Sequence, residues 1–344
     1  MSEAKVLFIG AGAIGASVAA WVAESYGSVW IMDVGETLAA LRTGGIATYQ
    51  FAAPERTRRT MHVRTVDRPG ELPDVDIVVL AVKNYGLEAV ARQVRDELGD
   101  RPIIVSMANG IDNQRLLPKF FTKVIYCVVG YNARRDAPAV VGYHGKGPLL
   151  IGTPDNTLGA ELRRVQSVLA HGCPTQIVDR LQDVVHTKIV INLANALDAL
   201  VGHGWRPLSN FAAYQRLFTQ TLWEGVRIVR AAGYREYRMP GIPSFGILRL
   251  ATLLPGWLIR PVFRRRLQAI VMSSMVQDVE LRGAQDTEIE SITGYIVRLA
   301  AEHGVSAPYN GTIYRLGREK FHPGFTPMRC EEVLAEVERE RQRE

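Results

Sequence analysis

The chain of 344 residues is 47% hydrophobic and 22% charged, a composition that excludes intrinsic disorder and collagen-like repetition and predicts two globular domains. Its three cysteines are isolated and lack metal-ligand spacing, so we expect no disulfide framework, no bound metal and a reducing, cytoplasmic location. The net charge of +6, from 41 basic and 35 acidic residues, is too scattered for a nucleic-acid interface and favours small anionic ligands.

The N-terminal half of the sequence predicts a parallel sheet covered by helices. Residues 5–10 form an apolar run that ends in a glycine turn, and the small-residue segment 13–27 has helical character. The β-branched and charged residues of 48–68 predict either a small antiparallel excursion or an irregular loop. Further apolar runs, typical of strands buried on both faces, lie at 28–33, 75–82, 103–107 and 124–129.

The pattern changes from strands to helices in the second half. We predict a strand at 148–152, a helix at 158–171 and a short strand near 176–178. The fold class is therefore α/β, with an N-terminal Rossmann-type doubly wound parallel sheet at 1–179 and a C-terminal all-helical domain at 180–344. Long helical periodicities lie at 181–201, 208–232, 262–282 and 287–303.

One segment of the helical half, 246–263, is strongly apolar and precedes three arginines. Two arginines and the prolines Pro255 and Pro261 divide it into pieces far shorter than the roughly 20 residues that a membrane span requires. We expect a hairpin buried in the protein, a lid or a subunit contact, and no stable membrane insertion. A peripheral membrane contact is the alternative.

The first chemical motif is the glycine loop Gly10-Ala-Gly12-Ala13-Ile14-Gly15, which follows a strand and opens a helix. The first glycine permits the turn, the second lets a pyrophosphate approach the backbone, and the third lets helix and strand pack closely. The helix N-terminus, with Ala13 and Ile14, attracts the phosphates. These residues predict a dinucleotide site, and a purely structural turn is the alternative.

The residue that ends the second predicted strand is Asp33, 23 positions after Gly10. A carboxylate here accepts hydrogen bonds from the adenosine ribose hydroxyls, and its charge repels a 2'-phosphate. Asp33 therefore favours NAD(H) over NADP(H).

The second motif is a polar stripe on an otherwise apolar helix, formed by Lys188, Asn192 and Asn195 at i, i+4 and i+7. Desolvation lowers the pKa of a buried ammonium, so such a lysine suits proton donation to a carbonyl oxygen. A lysine that extends to solvent beside two packing asparagines is the alternative. Lysine is scarce in this chain, with seven lysines against thirty-four arginines, which favours the functional interpretation.

Taken in order along the chain, the motifs resemble those of the ketopantoate reductase (2-dehydropantoate 2-reductase) family. The resemblance implies an N-terminal dinucleotide-binding domain, a C-terminal helical domain for substrate binding and dimerisation, and reduction of a 2-keto acid by a nicotinamide cofactor. The motifs are the GAGAIG loop, AVK at 81–83, Asn109-Gly110, Lys188-x-x-x-Asn192, SSMVQD at 273–278, TEIE at 287–290 and AEHGVSAPYN at 301–310.

The resemblance also implies roles for individual residues. Lys188 matches the family's general acid, and Glu288 matches the acidic partner at the substrate hydroxyl. A first-turn helix acid beside a Thr287–Glu290 capping box is the alternative for Glu288. Lys83 resembles the family's cofactor-side lysine, and Asn109 matches a position that contacts both cofactor and substrate. The residues expected to position the substrate are Asn109, Asn192, Asn195 and Ser274.

Two departures from the family pattern concern substrate and cofactor. The family's second helical asparagine is Ala196 here, and the adjacent Asn195 would reach the same space only if the helix rotated. Asp33 replaces the family's usual basic residue after the second strand.

We therefore expect a reductase that converts 2-dehydropantoate to pantoate for pantothenate synthesis. A reductase of a bulkier keto compound and a non-catalytic dinucleotide-binding regulator are the alternatives. We expect no nucleic-acid partner, and a homodimer is compatible with the helical second domain.

Overall fold

The computed structural model of the protein describes residues 3–268, 274–281 and 287–343. The chain divides into two compact units, Met1–Leu181 and Gln182–Glu344. The first unit combines sheets with helices, and the second is built from helices, which confirms the predicted fold class.

The sheets of the first unit explain why its apolar runs are so continuous. The main sheet has the order β12-β11-β8-β7-β6-β1-β2-β5, and each neighbouring pair in it is parallel except the antiparallel pair β8 and β11. All four residues of β1, of β6 and of β7 are buried, as expected for strands covered on both faces. The strands are β1 Val6–Ile9, β2 Val29–Met32, β3 Ile46–Gln50, β4 Arg59–Met61, β5 Arg64–Thr65, β6 Ile77–Leu80, β7 Ile103–Ser106, β8 Val124–Val129, β9 Ala133–Ala137, β10 Val140–Tyr143, β11 Leu149–Gly152 and β12 Thr175–Ile177.

A second sheet of four strands, in the order β4-β3-β10-β9, accounts for the ambiguous segment 48–68. Strands β3 and β4 are antiparallel, as one of the two predicted alternatives required, while β5 joins the main sheet beside β2. The sequence did not predict the partner strands β9 and β10, whose hairpin completes this sheet.

The helices of the first unit connect its parallel strands. Helix α1 carries the fully buried Trp21, whose ring contacts Tyr131 and Tyr143 at centroid distances of 5.2 and 4.8 Å. The contact joins the first helix to the hairpin side of the unit. The helices are α1 Ala13–Ala23, α2 Gly35–Gly44, α3 Pro54–Thr57, α4 Asn84–Leu98, α5 Asp112–Leu116 and α6 Gly159–Leu169.

The second unit packs α8 against α9, α12 and α14 around a core that includes Leu197, Leu200 and Ile313. Of the predicted helix 262–282, residues 269–273 and 282 lie outside the described part of the structure. Two π-helical turns, Gln277–Leu281 and Glu290–Gly294, interrupt the α-helices. The helices are α7 Leu181–Asn192, α8 Ala194–Val201, α9 Phe211–Ala231, α10 Phe245–Leu253, α11 Gly256–Gln268, α12 Ser274–Val276, α13 Tyr295–Glu302, α14 Pro308–Lys320 and α15 Cys330–Arg341.

Helices α7 and α8 follow one another with a single interruption at Leu193. The combined stretch Leu181–Val201 is long and apolar enough to cross a membrane, yet 78% of its most apolar window is buried inside the protein. A core helix of a globular unit has the same composition, and this stretch supplies part of the core of the second unit.

Of the three predictions for 246–263, that of a hairpin buried in the protein is wrong for its outer side, while those of a lid and of a subunit contact stay predictions. The segment forms α10 and the first part of α11, and the inner side of α10 does pack, with Phe245 at 1% and Leu248 at 5% exposure. Its outer side remains exposed, with Trp257 at 70% and Leu253 at 67%. Apolar composition predicts that the side chains of a segment are buried, but it does not predict that residues of the same chain bury them.

Candidate active site

The glycine loop between β1 and α1 is fitted tightly to the strand beside it. Gly10 has φ +100°, and a Cβ atom on it would lie 3.0 Å from the carbonyl carbon and oxygen of Ala81. A Cβ atom on Gly15 would lie 1.9 Å from the Gly10 oxygen and 2.8 Å from the Ala81 Cβ. These two glycines are therefore required by the turn and by the approach of helix to strand.

Gly12 differs from the other two glycines because a Cβ atom there would meet nothing within 4 Å. It is the N-cap of α1, and no side chain of the described residues caps the helix. The first helical hydrogen bond runs from Ala16 N to Gly12 O, so the amides of Ala13, Ile14 and Gly15 have no partner within the helix. Open space before free amides at a positive helix end fits a pyrophosphate.

Asp33 lies directly after β2 and its carboxylate is fixed by the backbone. One carboxylate oxygen, Oδ2, accepts a hydrogen bond from the amide of Ala11 in the glycine loop, and the other, Oδ1, accepts one from Val34 N at 2.7 Å. The side chain is half-buried. Because each carboxylate oxygen has a second lone pair, Asp33 retains capacity to accept from ribose hydroxyls at the edge of the loop.

Both acidic and basic side chains lie on the elements that follow or flank Asp33. Glu36 lies exposed in the first turn of α2, and Arg42 at the end of that helix donates to Asp67 at 2.6 Å. A second basic residue, Arg135 of β9, has its guanidinium 3.4 Å from the hydroxyl of Thr37. The surroundings of the second strand thus hold Arg42 in an ion pair and bring one other arginine close to the start of α2.

The ends of β6 and β7 bring Lys83 and Asn109 to the same edge of the sheet, as expected for adjacent parallel strands. Lys83 is the residue before α4, and the next residue, Asn84, donates from Nδ2 to the Asn109 carbonyl at 2.7 Å. The Oδ1 atom of Asn84 is buried and has no hydrogen-bond partner among the described residues. Sequence analysis missed Asn84, and its position beside Lys83 was the available signal.

The lysine stripe appears in the burial pattern of α7 and α8. Lys188, Asn192 and Asn195 are half-buried, whereas positions 184–187, 189–190, 193–194 and 196–201 are buried. Burial lowers the pKa of the Lys188 ammonium. An ammonium with a lowered pKa gives up its proton more readily than an ordinary lysine does.

Asn195 lies on the same partly exposed stripe as Lys188 and Asn192, as their spacing of i, i+4 and i+7 predicts. Ala196, at the position of the family's second asparagine, is 0% exposed and belongs to the core of the second unit. Asn195 stands seven residues after Lys188, which returns it to nearly the same side of the helix.

Glu288 is not a solvated first-turn acid, because only 4% of its surface is exposed. The turn Glu290–Gly294 has no side-chain cap, so the alternative capping box is not formed there, and Glu290 accepts a hydrogen bond from the Tyr314 hydroxyl at 2.7 Å. The Thr287 hydroxyl accepts from Ile289 N at 3.4 Å. The side chain of Ser274 lies outside the described part of the structure.

The first half of the lysine helix is held by contacts that sequence analysis did not find. His186 stacks on Tyr234 with ring centroids 3.4 Å apart, and its Nε2 lies 2.7 Å from the Tyr295 hydroxyl. Burial lowers the pKa of His186 to about 4, which keeps the ring neutral. Thr187 Oγ1 accepts a hydrogen bond from Tyr237 N at 3.0 Å. The two residues directly before Lys188 are therefore both held by contacts to other parts of the second unit.

A second missed group is Glu224 of α9, a buried carboxylate at the N-terminus of α14. It accepts from Tyr309 N at 3.1 Å, from Asn310 N at 2.7 Å and from Asn310 Nδ2 at 2.8 Å. Burial raises the pKa of Glu224 and these hydrogen bonds oppose the rise. The satisfied geometry indicates a structural role, and the available signal was an acid within an otherwise buried helical face.

Among the described residues, no group of three His, Cys, Asp or Glu side chains is arranged to hold a metal ion. The groups that the structure does arrange are the glycine loop with Asp33, the Lys83–Asn84–Asn109 edge, and the lysine stripe. The first two belong to the first unit and the third to the second unit.

Comparison with known proteins identifies the family. Residues 6–156 match the model described as ketopantoate reductase PanE/ApbA, and residues 180–321 match the model of its C-terminal part. The 2-dehydropantoate 2-reductase of Archaeoglobus fulgidus is 27% identical, over 92% of this chain and 98% of its own. The enzyme of that name from Halobacterium salinarum is 28% identical, over 91% and 98%.

The fold is also that of a solved enzyme with another name. D-mandelate dehydrogenase, in a ternary structure with NADH and anilino(oxo)acetate, superposes with a TM-score of 0.74 at 18% identity, over 96% of this chain and 99% of its own. The two family models together span most of both units. The chain belongs to the ketopantoate reductase family.

Proposed function

We propose that the chain reduces a 2-keto acid to the 2-hydroxy acid with a nicotinamide cofactor, and that 2-dehydropantoate is its first candidate substrate. The observation that carries the proposal is the half-buried Lys188, whose pKa burial lowers, on the one partly accessible stripe of a core helix. Its location in a family of keto acid reductases supports the assignment. We place the activity in the cytoplasm.

The residues of the first unit fit a bound dinucleotide. The amides at the start of α1, opposite the open side of Gly12, would hold the pyrophosphate, and Asp33 would accept from the adenosine ribose. Lys83 and Asn109 would contact the nicotinamide end. When bound, the cofactor supplies the hydride that reaches the carbonyl carbon.

The second unit supplies the proton and the substrate contacts. Lys188 Nζ donates a proton to the carbonyl oxygen as the alkoxide develops, and the neutral amine takes up a proton from solvent before the next turnover. Asn192 and Asn195, on the same stripe, hold the carboxylate and hydroxyl groups of the substrate. Glu288 accepts from the substrate hydroxyl, and Ser274 is assigned to substrate binding by its family match alone.

We further propose that NADH is preferred over NADPH. A 2'-phosphate at the end of β2 would meet the charges of Asp33 and Glu36, while Arg42 is already paired with Asp67. Arg135, near Thr37, is the basic residue that would have to compensate. A solved relative in fold, D-mandelate dehydrogenase, carries NADH in its crystal structure.

A bulkier keto acid is the second candidate substrate. It is favoured by the replacement of the family's second asparagine by the buried Ala196, which leaves one polar contact fewer at that position. The fold shared with D-mandelate dehydrogenase, an enzyme named for an aromatic 2-hydroxy acid, points in the same direction.

The test is oxidation of NADH and of NADPH by the purified protein with 2-dehydropantoate, and with a panel of larger aliphatic and aromatic 2-keto acids. We expect turnover with at least one of them, and the order of kcat/KM assigns the substrate. Absence of turnover on the whole panel, with a cofactor that still binds, would replace this proposal by a non-catalytic regulator.

A further inference from the structure

The outer surface of helices α10 and α11 carries large apolar side chains that the described protein does not cover. They are spaced along the outer side of both helices, while the inner side is anchored on α9. Gln215 of α9 donates to the Gly256 carbonyl at 2.9 Å, between the two helices. The residues of this α10–α11 surface are Ile247, Leu250, Leu253, Trp257, Leu258 and Val262, which are between 48% and 70% exposed.

The two helices thus have apolar residues on two sides, although only the inner side packs against α9. Phe263 on the inner side contacts the rings of Phe211 and Phe218 at 5.8 and 5.2 Å. A helix that needed only to pack on α9 would be polar outside. Most of the large exposed apolar side chains of the described residues lie on this surface, which marks it as a site of contact.

The charge of the segment selects the kind of partner. Residues 239–277 contain five arginines and no aspartate or glutamate. Arg249 and Arg265 are exposed, and Arg264 lies over the Phe211 ring at 4.8 Å with its side chain also exposed. A partner that covers the α10–α11 surface must therefore be apolar in its interior and negatively charged at its boundary.

An anionic lipid bilayer has this combination of properties. Amphipathic helices bind it by placing leucine and tryptophan at the level of the headgroups, while arginines contact the lipid phosphates. A second copy of the chain fits less well, because a twofold contact brings the same arginine-rich surface against itself, and residues 239–277 contain no acid to pair with it.

We propose that the α10–α11 surface is a peripheral membrane-binding site, which lies in the interface of an anionic bilayer without spanning it. The helices are too short and too often interrupted to cross, with nine residues in α10 and Pro261 inside α11. The catalytic residues assigned to the lysine stripe take no part in this contact.

The test is co-sedimentation of the full-length protein with vesicles of equal parts phosphatidylglycerol and phosphatidylcholine, and with vesicles of phosphatidylcholine alone. We expect binding to the anionic vesicles that weakens with salt. The double variant Trp257→Ser/Leu258→Ser should bind about tenfold more weakly or worse. The double variant Arg249→Gln/Arg265→Gln leaves the apolar face intact. Its affinity for the anionic vesicles at low salt should be about thirtyfold lower than that of the wild type.

Matched controls lie on the first unit. Ile177→Ser removes an exposed apolar side chain, and Arg56→Gln/Arg58→Gln removes two exposed arginines, so both should bind as the wild type does. Circular dichroism of each variant checks folding, and the arginine variant tests the proposal even if the Trp257 variant is misfolded.

The proposal is overturned if the wild type stays in the supernatant with both vesicles, or if both surface variants bind as strongly as the controls. A wild-type mass by light scattering that falls to the monomer in Trp257→Ser/Leu258→Ser, without any vesicle binding, would assign the surface to a second copy of the chain.

Discussion

Replacement of Lys188 by methionine separates a catalytic lysine from a structural one. Methionine keeps most of the aliphatic stem, so the packing of the lysine helix is preserved while the ammonium is removed. A general acid contributes about 10² to 10⁴-fold to the rate, or about 3 to 5 kcal/mol of transition-state stabilisation. We expect kcat of Lys188→Met to fall by this factor while the affinity for reduced cofactor stays the same.

Replacing a lysine that stabilises the fold lowers stability, whereas Lys188→Met should leave stability unchanged or raise it. Because burial lowers the pKa of Lys188, the protonated side chain is disfavoured in the folded protein relative to the unfolded chain. At neutral pH the ammonium therefore opposes folding, and Lys188→Met should unfold at the same temperature as the wild type or at a higher one.

The pH dependence of reduction gives an independent measurement. The ammonium form of Lys188 is the proton donor, so kcat is full below its pKa in the folded protein and falls as the pH rises through it. Burial shifts this decline below 10.5, the ordinary lysine value. The residual activity of Lys188→Met should lack the decline.

The assay is oxidation of reduced cofactor at saturating substrate, with thermal unfolding measured on the same preparations. Lys320→Met, which alters a lysine in the last turn of α14, serves as the control and should match the wild type in both. A Lys188→Met enzyme with kcat within threefold of wild type, or one that loses stability and activity together, would refute the assignment of Lys188 as general acid.

Three further predictions concern cofactor binding and the second unit. In steady-state kinetics, kcat/KM of the wild type should be about ten- to a hundredfold higher with NADH than with NADPH, and Asp33→Asn should reduce this difference. A wild-type preference for NADPH would contradict the role given to Asp33. Gly12→Ala should keep the thermal stability but bind reduced cofactor about tenfold more weakly in a fluorescence titration, whereas Gly15→Ala should lose stability because its Cβ would overlap the Gly10 oxygen. Unchanged cofactor affinity in Gly12→Ala would exclude the pyrophosphate from this loop. Glu224→Gln should lower the free energy of unfolding in urea by about 1 to 3 kcal/mol, since its amide NH₂ would face the Tyr309 amide; an unchanged midpoint would contradict the structural role of this carboxylate.

The central strands of the main sheet, β1, β6, β7, β8 and β11, could be predicted from the sequence because each is fully buried, so that a short apolar run marks each one. The β9–β10 hairpin could not, since Arg134, Arg135 and Asp136 make β9 look like a surface loop. Its strand character depends on β10, and β10 in turn pairs with β3, a strand about ninety residues earlier.

The residues of the candidate site also divide into those that the sequence predicts and those that it does not. The glycine loop and the lysine stripe are local patterns, and their geometry agrees with the spacing of their residues. His186 and Glu224 were missed because their partners, Tyr295 and Asn310, are distant in sequence. A single sequence does not reveal which distant donor or acceptor a buried polar residue meets.

The hydrogen bond from the Ala11 amide to Asp33 has a consequence for attempts to engineer cofactor use. Replacing Asp33 by a basic residue would remove the negative charge that faces a 2'-phosphate. It would also remove the acceptor of the hydrogen bond from the Ala11 amide, which holds the glycine loop in shape, and would therefore weaken binding of either dinucleotide. Glu36, with its exposed side chain and no part in the loop, offers the same change of charge without that loss. A redesign for NADPH should therefore begin at Glu36, in the first turn of α2, and leave Asp33 in place.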